Sequence, residues 1–221
     1  MIITWLEAND KPYKRPMDVV ILVLSHVVLL PALVALWILI PLAIWLEDRG
    51  PVFYRQKRMG KHGEVFELLK FRTLVPDADE MTRPWEVPER RVVTRIGKIL
   101  RPTAMDELPQ ILSILKGDMS FFGPRAMPVD EYEEYVKKLP ELKRRLSVRP
   151  GLTGLAQVRT RASRDNVEKL HFDLEYIDRM NPWLDLTLLG MSVWNTLLAK
   201  WEASGGMKAR HSQTQSHGQH E

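Results

Sequence analysis

The stretch from Met17 to Leu46, MDVVILVLSHVVLLPALVALWILIPLAIWL, decides how the rest of the chain is read. Between Val19 and Trp45 only Ser25 and His26 are polar. An apolar run of roughly 18 or more residues is long enough to cross a bilayer core as one helix. Pro31 stands near the middle, where it removes a backbone hydrogen bond and crowds the preceding turn. Each half alone is too short to span. Both flanks are basic: Lys11, Lys14 and Arg15 come before, and Arg49, Arg55, Lys57 and Arg58 after. Positive charge within ~15–20 residues of a membrane segment marks the cytoplasmic side. A straight crossing would therefore put one cationic flank on the far face. A re-entrant or strongly kinked helix, bent at Pro31, keeps both flanks on one side and anchors a cytoplasmic domain. A single span stays open as the alternative, because prolines are tolerated where neighbouring groups re-satisfy the backbone. The run is too long for a secretory signal peptide and lacks a small-residue cleavage site. It also lacks the polar face of a soluble helix.

The 221 residues leave about one domain's worth of chain beyond this segment, enough for a hydrophobic core. There is no cysteine, which excludes disulfides, thiolate zinc sites and cysteine nucleophiles. The net charge of +4 suits an anionic membrane surface or phosphorylated substrates better than nucleic acid. No Walker A loop, dinucleotide-binding glycine motif, zinc-protease helix or internal repeat is present.

The pattern is mainly α with a small β-hairpin, an α+β domain behind a membrane helix. We divide it as 1–16, an interfacial segment with Trp5 and Tyr13 at headgroup level; 17–49, the membrane helix; 50–202, the globular domain; and 203–221, a polar tail too poor in apolar residues to order. Val52–Tyr54 and Val65–Leu69 read as strands joined through Gly60-Lys61-His62-Gly63. Residues 75–92 read as an irregular loop. Helical spacing begins at Ile96, Ile99 and Leu100 and is interrupted by Pro102. A new helix is expected from Thr103 as cap, burying Leu108, Ile111, Leu112 and Leu115 and stopping at Gly117. Residues 118–125 read as a loop, 129–146 as amphipathic, and Arg149–Gly154 as a glycine-rich turn. Ser163 is expected to cap a helix burying Val167, Leu170, Leu174 and Ile177. After Asn181-Pro182, a last amphipathic helix from Trp183 to Trp201 packs on the core, lies on the bilayer through Trp194 and Trp201, or does both.

The carboxylate pair Asp106-Glu107 is the first candidate for chemistry. Neighbouring helical side chains diverge by about 100°, so the two suit separate roles, one as nucleophile and one as a Mg²⁺ ligand. Acidic residues also favour first helical turns for the dipole alone. Arg101, Arg125 and Arg149 each stand beside a Pro or Gly-Pro break, and guanidinium groups bind phosphate bidentately. Together they suggest a diphosphate pocket, with glycine turns letting backbone amides approach the anion. Lys143-Arg144-Arg145 reads as a solvated face or headgroup contact. His171 reads as structural, and His211, His217 and His220 are too dispersed for a metal site.

Several motifs then occur in a telling order: Lys14-Arg15 and Asp18; Gly50-Pro51-Val52-Phe53 with Gln56, Arg58 and Gly60; Lys70-Phe71-Arg72-Thr73; Asp106-Glu107-Leu108-Pro109-Gln110; Leu115 to Ser120; Gly123-Pro124-Arg125; and Arg149 to Gly154 with Ala156-Gln157-Val158. In this the chain resembles the bacterial sugar transferases of the monotopic phosphoglycosyl transferase family, in their short form, over roughly Lys14 to Trp201. The resemblance implies a re-entrant helix and a catalytic domain on the cytoplasmic face of the bacterial inner membrane. It implies that Asp106 is the nucleophile, that Glu107 helps hold Mg²⁺, and that Arg125, with Arg101, Arg149, Lys70, Arg72 and Gln56, contacts substrate phosphate. The implied reaction is ping-pong transfer of a sugar-1-phosphate from a UDP-sugar to polyprenyl (undecaprenyl) phosphate, releasing UMP, as the first membrane step of exopolysaccharide, O-antigen or glycoconjugate assembly. Membrane lipids are implied partners, nucleic acid is not, and a homodimer is left open. Leu30 replaces the family's usual serine before the kink proline, Pro41 is an additional break, and Ala126 and Leu155 replace a usual Pro and Trp near the expected pocket. An aspartyl phosphatase or phosphodiesterase, and a non-catalytic membrane scaffold, are the rival readings.

Overall fold

The computed structural model describes residues 11–76, 78, 92–160 and 165–201. The expectations for Trp5, most of the 75–92 loop, Ser163 and the tail beyond Ala203 lie outside the described residues. Within them the chain is mostly helical, with two small sheets and one long apolar helix near the N-terminus.

Helix α1 runs from Lys14 to Asp48 and stays helical through Pro31 and Pro41. It is long and apolar enough to cross a membrane, and its most apolar window is wholly unburied. Its two ends are held by the same globular body. At the start, Lys14, expected as a membrane-flanking charge, is instead buried. Its Nζ donates to the Phe122 carbonyl at 2.7 Å, to the Tyr176 hydroxyl at 2.8 Å and to Asp185 Oδ2 at 3.1 Å. Tyr13, expected at headgroup level, donates its hydroxyl to the same Asp185 oxygen at 3.0 Å. Asp18 accepts from the Ser120 hydroxyl and the Phe121 amide, both at 2.9 Å. Arg15 reaches the carbonyls of Ile114 and Leu115, where a helix end leaves acceptors unused. At the far end Glu47 accepts from the amides of Arg95 and Ile96, and Asp48 pairs with Arg72. Met17 and Ile21 join one core cluster, Leu22 a second, and Ile40 and Ile44 a third. Val23 to Leu30, apart from Ser25 and His26, are exposed.

The expected hairpin forms. Strand β1 (Phe53–Met59) pairs antiparallel with β2 (Val65–Phe71), from Phe53 opposite Phe71 to Met59 opposite Val65. Helix α2 (Gly97–Thr103) runs on through Pro102 and ends at Ala104, and a 3₁₀ turn over Met105–Gln110 leads into α3 (Ile111–Lys116). Thr103 is therefore not a cap. Its hydroxyl folds back on the carbonyls of Ile99 and Leu100 at the end of α2. The change from α to 3₁₀ also rotates the expected apolar face: Ile114 is buried, whereas Leu112 and Leu115 are exposed.

Two segments expected as loops pair with each other. Strand β3 (Ser120–Phe122) lies parallel to β4 (Gly151–Thr153), with Ser120 opposite Gly151 and Phe122 opposite Thr153. A Cβ on Gly151 would lie 2.1 Å from the Gly123 nitrogen, and one on Gly154 would lie 2.3 Å from the Gly123 oxygen. Only glycine allows this approach. The amides of Gly123 and Gly151 are spent on the carbonyls of Thr153 and Pro124, not left for an anion.

Helix α4 (Val129–Lys138), a 3₁₀ stretch over Pro140–Ser147 and the short α5 (Leu155–Arg159) lead to α6 (Asn166–Arg179) and α7 (Pro182–Leu197). Asp165 caps α6 by accepting from the Val167 amide, and Val167 itself is exposed. Phe122, Val148, Leu155, Tyr176, Ile177 and Leu188 form the main core. Leu155 belongs to this core and not to a substrate pocket. On α7, Leu188 is fully buried while Trp183, Trp194 and Leu197 are exposed, so the helix packs inward and still presents an apolar outer face.

Candidate active site

Asp106 and Glu107 ride on the 3₁₀ turn after Ala104, whose φ of 55° lies in the left-handed region. A non-glycine residue there costs about 1–2 kcal/mol, which the surrounding packing must offset. With three residues per turn, neighbouring side chains diverge by about 120°. The two carboxylates point to different partners.

Glu107 is tied to two cations. Lys70 Nζ, from β2, donates to Oε1 at 2.7 Å, and Arg125 Nη2, from the chain after β3, donates to the same oxygen at 2.5 Å. The second oxygen has only a long contact, 3.5 Å to Arg125 Nη1. Burial by itself would raise the pKa of Glu107, but Arg125 and Lys70 override it and hold the group well below the usual carboxylate range. Burial also lowers Lys70, against the pull of Glu107.

Asp106 is the opposite case. Among the described residues no donor lies within hydrogen-bond distance of its carboxylate. Burial pushes its pKa up to about 6, Glu107 adds to this, and Lys70, Arg101 and Arg125 restrain it. The adjacent pair thus separates into a carboxylate that organises cations and one left open to react.

Both line a cavity of about 1210 Å³. Arg101, Arg125, Lys70, Arg72 and Gln56 line it too. Arg149 does not; its Nε donates to the Gly117 carbonyl at 2.8 Å behind the site. Arg72 is buried and pairs with Asp48 at the end of α1. Gln56 accepts from Arg58 Nη2 at 2.5 Å, and Arg58 also donates to the Ala126 carbonyl at 2.7 Å. Ala126 lines the cavity as expected. Arg58 is 8% exposed, and burial, reinforced by Arg125, lowers it to about 10.

Residues not singled out from the sequence complete the wall. Arg145 belongs to a run expected as a solvated face or headgroup contact, but only Lys143 of that run is exposed. Arg145 turns inward, donating from Nη2 to the Arg125 carbonyl at 2.8 Å and lying 2.9 Å from buried Asp173. Glu131 and Lys169 stand nearby in the same cavity. Phe53, Leu108, Ile111, Val193 and Leu197 supply apolar wall, as does Leu29 from the exposed middle of α1.

For Mg²⁺, the fit rests on oxygen donors. Among the described residues no third acidic or histidine side chain joins the pair. Mg²⁺ commonly takes one or two carboxylates plus phosphate and water. Asp106 and the less engaged oxygen of Glu107 match that demand.

A family model for bacterial sugar transferases matches residues 9–199. The chain is 40% identical over 183 residues to a UDP-glucose:undecaprenyl-phosphate glucose-1-phosphate transferase of Caulobacter vibrioides, covering 80% of this chain and 66% of that protein. It is 32% identical over 191 residues to an undecaprenyl-phosphate galactose phosphotransferase of Salmonella typhimurium, covering 80% of this chain and 38% of that protein. Against a UDP-glucose:undecaprenyl-phosphate glucose-1-phosphate transferase of Escherichia coli the identity is 34% over 203 residues, covering 89% and 43%. The chain thus spans about two thirds of the first relative and less than half of the other two.

Proposed function

The chain belongs to the bacterial sugar transferase family, and we propose that it moves a sugar-1-phosphate from a UDP-sugar to undecaprenyl phosphate through an aspartyl-phosphosugar intermediate. One observation carries this reading. Asp106, unpaired and partly buried, shares a cavity with a cationic wall of Lys70, Arg101 and Arg125 and with Leu29 of the apolar helix. A soluble diphosphate and a membrane-borne phosphate can both reach such a carboxylate.

In the first half-reaction an Asp106 oxygen attacks the sugar-linked phosphorus. The bond to the bridging oxygen breaks, and UMP departs with that electron pair. Arg125 and Lys70, positioned by Glu107, neutralise charge building on the phosphoryl oxygens. In the second, an oxygen of the acceptor phosphate attacks the same phosphorus and Asp106 leaves as carboxylate. Glu107, through its less engaged oxygen, would help hold Mg²⁺, whose charge would screen the donor diphosphate.

We place the domain on the cytoplasmic face of the inner membrane, with α1 re-entrant. The support is that both ends of α1 are bonded to one body, whereas a crossing helix has its ends on opposite faces. A straight 35-residue helix would also be about 50 Å long.

The test is to incubate the membrane-embedded protein with UDP-glucose or UDP-galactose labelled in the β-phosphate, without acceptor, and to map any adduct by mass spectrometry. We expect stoichiometric UMP and a phosphosugar on Asp106, absent in Asp106→Asn. Continuous release of sugar-1-phosphate without lipid would instead mark a hydrolase, and Asp106→Asn with undiminished transfer would overturn the nucleophile.

A further inference from the structure

The cavity does not end at Arg125. Beyond it, α6 and the 3₁₀ stretch over Pro140–Ser147 enclose a second end, lined by Arg145, Asp173, Glu131, Lys169, Gln157 and Thr160. Asp173 is 3% exposed, and among the described residues no hydrogen bond reaches its carboxylate; its one close partner is the Arg145 ion pair. Arg145 Nε is the atom of that pair, 2.9 Å from Asp173 Oδ2, and one further polar atom here, Gln157 Oε1, is buried with no hydrogen-bond partner. Leaving a buried polar group unsatisfied is costly, a cost a bound molecule can remove.

The character of that molecule follows from what is unsatisfied. The carboxylate of Asp173 and the amide oxygen of Gln157 are acceptors, so the ligand must bring donors. Two cations, Arg145 and Lys169, face two acids, Asp173 and Glu131, so this end is near neutral and gives an anion no net attraction. Asp106, Lys70, Arg101 and Arg125 hold the phosphate-binding character at the other end. A neutral ring carrying adjacent hydroxyls matches the second end.

We propose that the Asp173–Arg145 end of the cavity binds a hydroxyl-bearing ring of the donor, Asp173 accepting from adjacent hydroxyls while Arg145 fixes its orientation. The inference rests on the donor reading above. Arg145 also links the two ends, because its Nη2 holds the carbonyl of Arg125, whose side chain grips Glu107. Occupying the ring site therefore sets the position of the phosphate-binding arginine. A nucleotide sugar offers two such rings, the transferred hexose and the ribose.

The experiment is calorimetric titration of the full chain in lipid nanodiscs with UDP-glucose, UDP-galactose and UMP, in an Asp106→Asn background so that no adduct forms. UMP carries the ribose and no hexose. We expect Asp173→Asn to weaken UDP-hexose binding at least tenfold. Unchanged UMP affinity would then assign the hexose, and an equal loss for UMP the ribose. If both bind within twofold of the parent, the inference is overturned. Thermal unfolding controls for folding, and should Asp173→Asn fail to fold, Gln157→Leu is expected to weaken the same ligand, with unchanged affinity counting against the site. A parent protein that binds neither UDP-sugar nor UMP overturns the donor reading, and this inference falls with it; a parent that binds alongside an unaffected variant sinks this inference alone.

Discussion

Lys14 and Asp185 form an ion pair at 3.1 Å with side chains 4% and 0% exposed, joining the first residue of α1 to the first turn of α7. They are 171 residues apart, and Tyr13 and Tyr176 donate to the same carboxylate. Breaking a buried pair from one side leaves a charge without compensation, which typically costs 3–5 kcal/mol.

Lys14→Met should therefore destabilise the protein by about 3–5 kcal/mol, read as a lowered unfolding midpoint in detergent. The double variant Lys14→Met/Asp185→Leu should recover part of the loss, because no lone charge remains. Equal stability of Lys14→Met and wild type would mean that the pair holds nothing together.

The second prediction concerns Asp106 and pH. Its folded pKa, about 6, lies above the ordinary 3.8. Stability from such a raised carboxyl is complete below the unfolded value and is lost as pH rises through the folded one. Asp106→Asn should thus be more stable than wild type above pH 6, on the order of 3 kcal/mol, with the advantage shrinking towards pH 4. Unfolding measured in chelator across that range checks the sign. A variant less stable than wild type at pH 7.5 would contradict it.

Gly151→Ala should be severe. The added Cβ would meet the Gly123 backbone nitrogen at 2.1 Å and oxygen at 2.6 Å, and backbone cannot rotate aside as a side chain can. We expect a loss of about 3 kcal/mol, together with loss of transfer, because Arg125 follows Gly123-Pro124 directly. Near-normal melting and activity would show that β3 and β4 are looser than they look. Gly190→Ala, with nothing near its Cβ, is the neutral comparison.

The absence of cysteine makes topology directly measurable. Lys11→Cys and Arg49→Cys place thiols at two exposed positions flanking α1. In inside-out vesicles an impermeant maleimide should modify both, and in intact spheroplasts neither. Modification of one from each side would establish a single span.

The hairpin was readable because its turn glycines and apolar strands lie within twenty residues of one another. Asp106 and Glu107 were readable because they are adjacent. What the sequence concealed is long-range. β3 and β4 have three residues each and pair across about thirty, too short for alternation to register and parallel besides. Arg145 sits in a run of three cations, where nothing local tells it from its neighbours; only Asp173, twenty-eight residues on, selects it. Arg149 had the same glycine-proline context as Arg125 but lands behind the site. Leu112 and Leu115 kept helical spacing, yet the 3₁₀ turn before them rotated the face they occupy. Nor does a basic flank reveal that Lys14 is buried, since charge counting weighs each cation alike.

Leu29, set midway along α1, lines the same hollow as Asp106. On the proposed function, the lipophilic segment is thus part of the reaction vessel and not a tether fastened to a finished soluble enzyme. Trimming the chain to start at Gly50 would uncover the packing partners of Ile40 and Ile44, deprive Asp185 of Lys14 and Arg72 of Asp48, and remove one side of the chamber. If the proposed function holds, detergent choice and bilayer thickness become variables of catalysis itself, because whatever surrounds α1 also shapes the approach to the carboxylate.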